Sequence, residues 1–135
     1  CPFAAHIRKT NPRADLTPAQ LDNHRIIRRG IPFGPDVSYE EKATKTTHHE
    51  RGLLFACYQS NLGNGFQFIQ QSWANNDGFI FNKPEEPNPG KDPIIGQNFD
   101  DENRQMAGWS ISKPLDRLNL GTSEFVVSNG GEYFF

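Results

Sequence analysis

The chain has 135 residues, 35% hydrophobic and 22% charged, with a net charge of −2; that length and composition exclude a disordered chain and allow a buried core. Charge near balance excludes the basic footprint of a nucleic-acid-binding domain, and no stretch approaches the roughly 18 consecutive apolar residues of a membrane-spanning helix. Twelve Gly and ten Pro make the chain rich in loops, while eleven Phe against one Met point to an aromatic core built on sheet.

In chain order, residues 1–13 are predicted to be irregular, because Pro2 and Pro12 punctuate them. Thr17-Pro18-Ala19-Gln20 has an N-cap residue followed by Pro at the first helical position, which predicts a short helical turn. Arg25 to Phe33 carries Ile26, Ile27 and Ile31 and is predicted as a strand ended by Pro32 and Gly34. Residues 35–50 read as a charged loop. Gly52 to Gln59 reads as a second strand, with Cys57 as a buried thiol within it. Cys1 and Cys57 alone do not form a disulfide framework. Phe66, Ile69 and Trp73 recur at helical spacing, so residues 64–73 are predicted as a helix. Residues 74–104 form a long Asn-, Pro- and Gly-rich loop, with Asp92-Pro93-Ile94-Ile95-Gly96-Gln97 as an ordered island inside it. Ser123–Ser128 and Glu132–Phe135 flank Asn129-Gly130-Gly131, which predicts a hairpin. Strands mixed with a helix give the class α+β, in one domain over residues 1–135.

Several residues could carry chemistry. His6 sits between two alanines and a basic run, although a lone histidine is more often structural than a ligand. Arg8, Lys9, Arg13, Arg25, Arg28 and Arg29 crowd the first 29 positions, as either a solvated face or an anion site. Asp92 precedes a proline and reads as a turn initiator. Leu53 and Phe55 lie two apart and share a strand face. His48-His49-Glu50 lacks the spacing of a tetrahedral metal site and reads as solvated. No nucleotide-binding or nucleophile-elbow motif occurs.

Three blocks carry a resemblance: Ala5-His6-Ile7-Arg8 through Asn11-Pro12-Arg13, Ile26-Ile27-Arg28-Arg29-Gly30-Ile31-Pro32-Phe33-Gly34, and Arg51-Gly52-Leu53-Leu54-Phe55. In this order and spacing they resemble the C-terminal part of DyP-type (dye-decolorizing) haem peroxidases, most closely the secreted fungal members. The resemblance implies a ferredoxin-like sheet domain beside haem b. It implies His6 as the axial ligand of haem iron, with Asp92 resembling the carboxylate that holds the other ring nitrogen; on the residues alone, Asp92 as ligand partner and as turn initiator stand about even. It implies Arg28 as the distal arginine over the peroxide face, Leu53 and Phe55 on the same distal side, and Ile7 and Ile94 as further apolar walls. Arg8 would contact a haem propionate. Trp73 is the preferred surface oxidation site for bulky substrates, ahead of Trp109, Tyr58 and Tyr133, although core packing is the commoner fate of any one of them. Phe33 stands where many members have tyrosine.

The family's acid–base aspartate belongs to a G-x-x-D-G motif that does not occur among these residues. The sequence is therefore expected to be a piece of a larger peroxidase. Its partner would be the N-terminal half, in one polypeptide or as a second chain. Hydrogen peroxide and aromatic reductants would be the substrates, and the location would be extracellular. A non-enzymatic haem carrier and a haem-free binding module are the rival readings.

Overall fold

The computed structural model describes residues 1–80, 88–99 and 102–135. The expected long loop over 74–104 therefore lies partly outside the described residues. The chain forms two compact units, Cys1–Arg25 with Ser60–Phe135, and Ile26–Gln59. Short helices and antiparallel two-stranded ladders make the chain α+β.

In the first unit, residues 1–13 are not irregular throughout. Helix α1 spans His6–Thr10, and Thr10 Oγ1 donates back to the His6 carbonyl at 2.8 Å. The two prolines bracket this helix without entering it. Pro12 disfavours helical backbone at the residue before it, and Asn11 leaves the helix at φ −150°, ψ 75°. Helix α2, Pro18–Leu21, forms where Thr17 and Pro18 predict it, with the Thr17 amide donating to Gln20 Oε1 at 2.9 Å. A 3₁₀ turn follows over Asp22–His24.

The predicted helix over 64–73 is present but changes pitch. Helix α4 covers Phe66–Phe68 and continues as a π-helix over Ile69–Ala74. The core of the unit gathers on it: Ile69, Trp73 and Ala74 are buried with Ala4, Leu21, Phe79, Ile80, Met106 and Ala107. The indole of Trp73 stacks on Phe79 with centroids 5.2 Å apart and meets the edges of Phe68 and His24.

Strands β5 (Arg104–Met106) and β6 (Leu118–Gly121) pair antiparallel. The predicted hairpin over 123–135 does not form. Its first arm is held by side chains instead: Glu124 Oε1 accepts from the Asn98 amide at 2.5 Å, and Phe125 lies under the Arg104 guanidinium at 4.9 Å. A turn signal fixes a hairpin only where both arms are free to pair.

The second unit is a hairpin with one interruption. Strand β1 (Ile26–Arg28) pairs with β4 (Cys57–Gln59), and β2 (Ile31–Phe33) pairs with β3 (Gly52–Leu54). Each predicted strand is thus split in two. The register is nevertheless continuous, since Arg28 faces Cys57 before the gap and Ile31 faces Leu54 after it. The Arg29 amide bridges the gap by donating to the Ala56 carbonyl at 2.7 Å.

The charged loop over 35–50 contains helix α3, Tyr39–Thr44. Ser38 and Glu41 form a reciprocal capping box, the Ser38 amide donating to Glu41 Oε2 at 2.8 Å and Ser38 Oγ accepting from the Glu41 amide at 3.2 Å. That S-x-x-E spacing was legible in the sequence. Glu41 also accepts from both η nitrogens of Arg51 at 3.0 Å and from the amides of His48 and His49. These donors, Arg51 foremost, hold the Glu41 carboxyl far below the usual carboxylate range against the opposing effect of burial.

Candidate functional site

Helix α1 turns His6 and Lys9, three residues apart, onto one face. His6 Nδ1 lies 2.9 Å from Asp92 Oδ2, and the Asp92 side chain is fully buried while the imidazole stays about one-third exposed (32%). The other carboxylate oxygen of Asp92 accepts from the amides of Ile94 at 2.8 Å and Ile95 at 3.0 Å. Asp92 is therefore a turn initiator and a histidine partner at once; the two readings of its sequence context do not compete.

The turn that carries Asp92 is docked onto the π-helix. The Asp92 amide donates to the Ala74 carbonyl at 2.8 Å. Gln70 Nε2 donates to the Ile95 carbonyl at 2.8 Å, and Asn75 joins Gln97 through Nδ2 to Oε1 at 2.9 Å and through Oδ1 to the Gln97 amide at 3.0 Å. From the far side, Arg104 donates through Nη1 to the Pro93 carbonyl at 3.2 Å and through Nη2 to the Ser123 carbonyl. None of Gln70, Asn75 or Arg104 stood out in the sequence, since isolated amides and a single arginine have no spacing signature. Gly96 closes the turn, and a Cβ there would stand 2.4 Å from the Asp92 carbonyl oxygen.

Ile7, next to His6 in α1, is 60% exposed, and Ile94, in the turn that carries Asp92, is 42% exposed. His6 Nε2 has no hydrogen-bond partner among the described residues. The imidazole is thus oriented at Nδ1 by a buried carboxylate while the ring stays partly exposed. Such an arrangement fits axial ligation of a metal in a flat apolar ligand, because the acceptor fixes the tautomer and makes the outer nitrogen a better donor.

Arg8 is engaged within the chain. Its Nε and Nη2 form a two-pronged pair with Asp15 at 2.8 and 2.7 Å, Nη1 donates to the Cys1 carbonyl at 3.0 Å, and the guanidinium lies over the Phe3 ring. The Asp15 hydrogen bond raises its pKa further. These contacts make an internal clamp that ties α1 to the following turn. Trp73 also departs from expectation. It is 4% exposed, so it offers no surface to a bulky substrate, whereas Trp109 at 46% and Tyr58 at 71% do. Trp73 lies on the inner face of the π-helix, where helical spacing of Phe66, Ile69 and Trp73 puts core residues.

In the second unit, Arg28, Leu53 and Phe55 fall on one face of the hairpin. Arg28 is opposite Cys57 in the ladder, facing residues share a face, and alternation along the strand carries that face to Phe55 and Leu53. Arg29 falls on the opposite face. Leu53 is 56% and Phe55 39% exposed, and Arg28 is exposed. Gly30 is the small residue on this face; a Cβ there would come within 3.0 Å of Leu53 Cδ1. Cys57 is half-buried, not the buried thiol expected, and its partial burial raises the thiol pKa. His48 and His49 are exposed, and no cluster of three or more metal-ligating side chains occurs among the described residues.

Residues 1–80 match the family model described as Dyp-type peroxidase, C-terminal. The whole chain is 55% identical over 136 residues to a dye-decolorizing peroxidase of Exidia glandulosa, spanning 25% of that protein. Among solved structures, an ancestral D-type dye-decolorizing peroxidase is 57% identical with a TM-score of 0.85, the match covering 93% of this chain and 28% of that one. A dye-decolorizing peroxidase studied by engineering of its heme pocket for asymmetric sulfoxidation is 46% identical with a TM-score of 0.84, over 97% of this chain and 30% of that one. The chain thus spans between a quarter and a third of the length of these relatives. Motif order, the His6–Asp92 pair and a shared backbone at this identity agree: the chain belongs to the DyP-type peroxidase family and corresponds to its C-terminal part.

Proposed function

We propose that this chain is the proximal, C-terminal portion of a haem peroxidase that oxidises dyes and phenolic compounds with hydrogen peroxide. The observation that carries the reading is the imidazole of His6, held at Nδ1 by a fully buried Asp92 and free at Nε2. Haem b, when bound, supplies a redox iron that takes oxidising equivalents from peroxide and passes them on one electron at a time. His6 would hold that iron through Nε2, with Asp92 keeping the proton on Nδ1 so that Nε2 remains an electron-pair donor. Ile7 and Ile94, both exposed aliphatic side chains, would offer the macrocycle apolar contact. Arg28 would supply a permanently charged guanidinium able to hydrogen-bond negative charge on a peroxide oxygen. Leu53 and Phe55, on the same hairpin face, would give that guanidinium apolar neighbours.

The acid–base group that moves the peroxide proton is assigned to the remainder of the polypeptide, which is the proposed partner of this chain. The relatives' greater length supports that assignment. An extracellular location rests on likeness to secreted fungal members. The test is spectroscopic. The full-length protein should show a Soret band and bleach dye with peroxide, and His6→Ala should lose both. A full-length protein that takes up no haem would end this reading.

A further inference from the structure

Lys9 is the one buried cation on the face of α1 that carries His6. It is fully buried, yet its ammonium sits among carbonyls, donating to Trp73 O at 3.2 Å and Asn76 O at 2.5 Å. Asp92 is anchored to the same helix end, its amide on Ala74 O at 2.8 Å. The Lys9 ammonium and the backbone that carries the buried Asp92 carboxylate thus bond neighbouring peptides of the π-helix, in surroundings that screen charge poorly. Desolvation pushes the Lys9 pKa down to about 8, while Asp77 and, after it, Asp92 oppose that shift by attraction. Asp77 lies at the exposed end of the helix; Asp92 lies in the interior. Capping of helix carbonyls needs only a donor and could be served by a neutral amide. A full charge held here at the expense of burial calls for a further role.

We propose that Lys9 is a positioning residue that sets how strongly Asp92 polarises the His6 imidazole, and through it how electron-rich the ligand nitrogen becomes. The inference rests on the haem reading for its redox consequence, but not for its electrostatics. An ammonium near Asp92 draws on the carboxylate's negative charge and weakens its pull on the Nδ1 proton. Removing that charge strengthens the Asp92–His6 hydrogen bond, makes Nε2 a stronger donor and favours the oxidised metal.

The experiment compares full-length wild type, Lys9→Gln, Lys9→Arg and Asp77→Asn. Lys9→Gln keeps a donor for the carbonyls and loses the charge; Lys9→Arg keeps the charge. In the haem-free protein, the Nδ1–H proton resonance of His6 should move downfield in Lys9→Gln, stay near wild type in Lys9→Arg, and move upfield in Asp77→Asn. In the haem-loaded protein, Lys9→Gln should raise the ferric-to-ferrous ratio about tenfold at fixed potential, a midpoint lower by about 59 mV for a one-electron couple. The iron–histidine stretching frequency should rise with it. If Lys9→Gln does not fold, Lys9→Met removes the same charge and carries the same comparison. An unmoved Nδ1–H resonance in a folded, charge-free variant overturns the inference while leaving the haem reading intact. Failure to bind haem overturns the haem reading while the resonance still decides on Lys9.

Discussion

A carboxylate with both oxygens engaged tolerates replacement only where the substitute serves both. Asp92 Oδ1 closes the turn through the Ile94 and Ile95 amides, and Oδ2 meets His6. Asn retains an acceptor for the turn but presents an amide donor to His6 Nδ1. That places the ring proton on Nε2, where it blocks ligation. Asp92→Asn should therefore hold denaturation stability within about 1 kcal/mol of wild type, yet weaken haem retention by roughly 10–100-fold in a competition assay. Asp92→Ala loses the turn as well and should be destabilised by about 2–6 kcal/mol, the range for orphaning two amides. Equal haem affinity in Asp92→Asn and wild type would show that the carboxylate does no more than shape the turn.

At the level of elements, short pieces of secondary structure are held by side chains rather than by their own length. A helix of five or six residues is far below what is stable alone, so α1 and α3 depend on tertiary partners. For α3 the partner is the Glu41–Arg51 pair, with Glu41 also receiving the amides of His48 and His49. Because the folded Glu41 carboxyl titrates far below its ordinary value of 4.5, its contribution is complete above that value. It falls away as the pH drops beneath 4.5, where an unfolded chain takes up the proton first. Amide exchange at His48 and His49 should be slow and insensitive to Glu41 protonation from neutral pH down to about 4.5, then lose protection as acidity increases. Glu41→Gln should show fast exchange at those amides already at neutral pH and no such acid dependence.

At the scale of the whole molecule, the buried hydrophobic residues all belong to the first unit. The hairpin of the second unit buries none of its own among the described residues: Ile27, Ile31, Phe33, Leu53, Leu54 and Tyr58 are each more than half exposed. Covering a Leu or Ile of this kind is worth about 1.5–3 kcal/mol apiece, and a two-stranded ladder alone is marginal in water. The ladder edges are open to pairing as well. The proposed cover is the remainder of the polypeptide, in keeping with relatives three to four times as long. Residues 1–135 produced alone should bind a hydrophobic dye such as anilinonaphthalene sulfonate strongly and associate at micromolar concentration. The full-length protein should do neither. A monomeric, dye-silent 1–135 would sink this account of the surface.

The amino-acid sequence by itself determined the features that depend on neighbours in the chain. These are the Thr17–Pro18 helix start, the helical stretch behind Phe66 and Trp73, the register-competent strands around Ile26 and Leu53, the Asp-Pro turn, and the motif order that gives the family. Only the tertiary structure decided which long-range partners those pieces would take. The 86 positions between His6 and Asp92 leave no trace in spacing. Nothing local marks Lys9 as buried or Arg8 as claimed by Asp15. The hairpin signal after Ser123 lost to side-chain contacts made from residues 98 and 104. Local rules act through a few backbone dihedrals. Burial and pairing act through whichever surfaces the fold brings together, and a linear pattern does not contain that information.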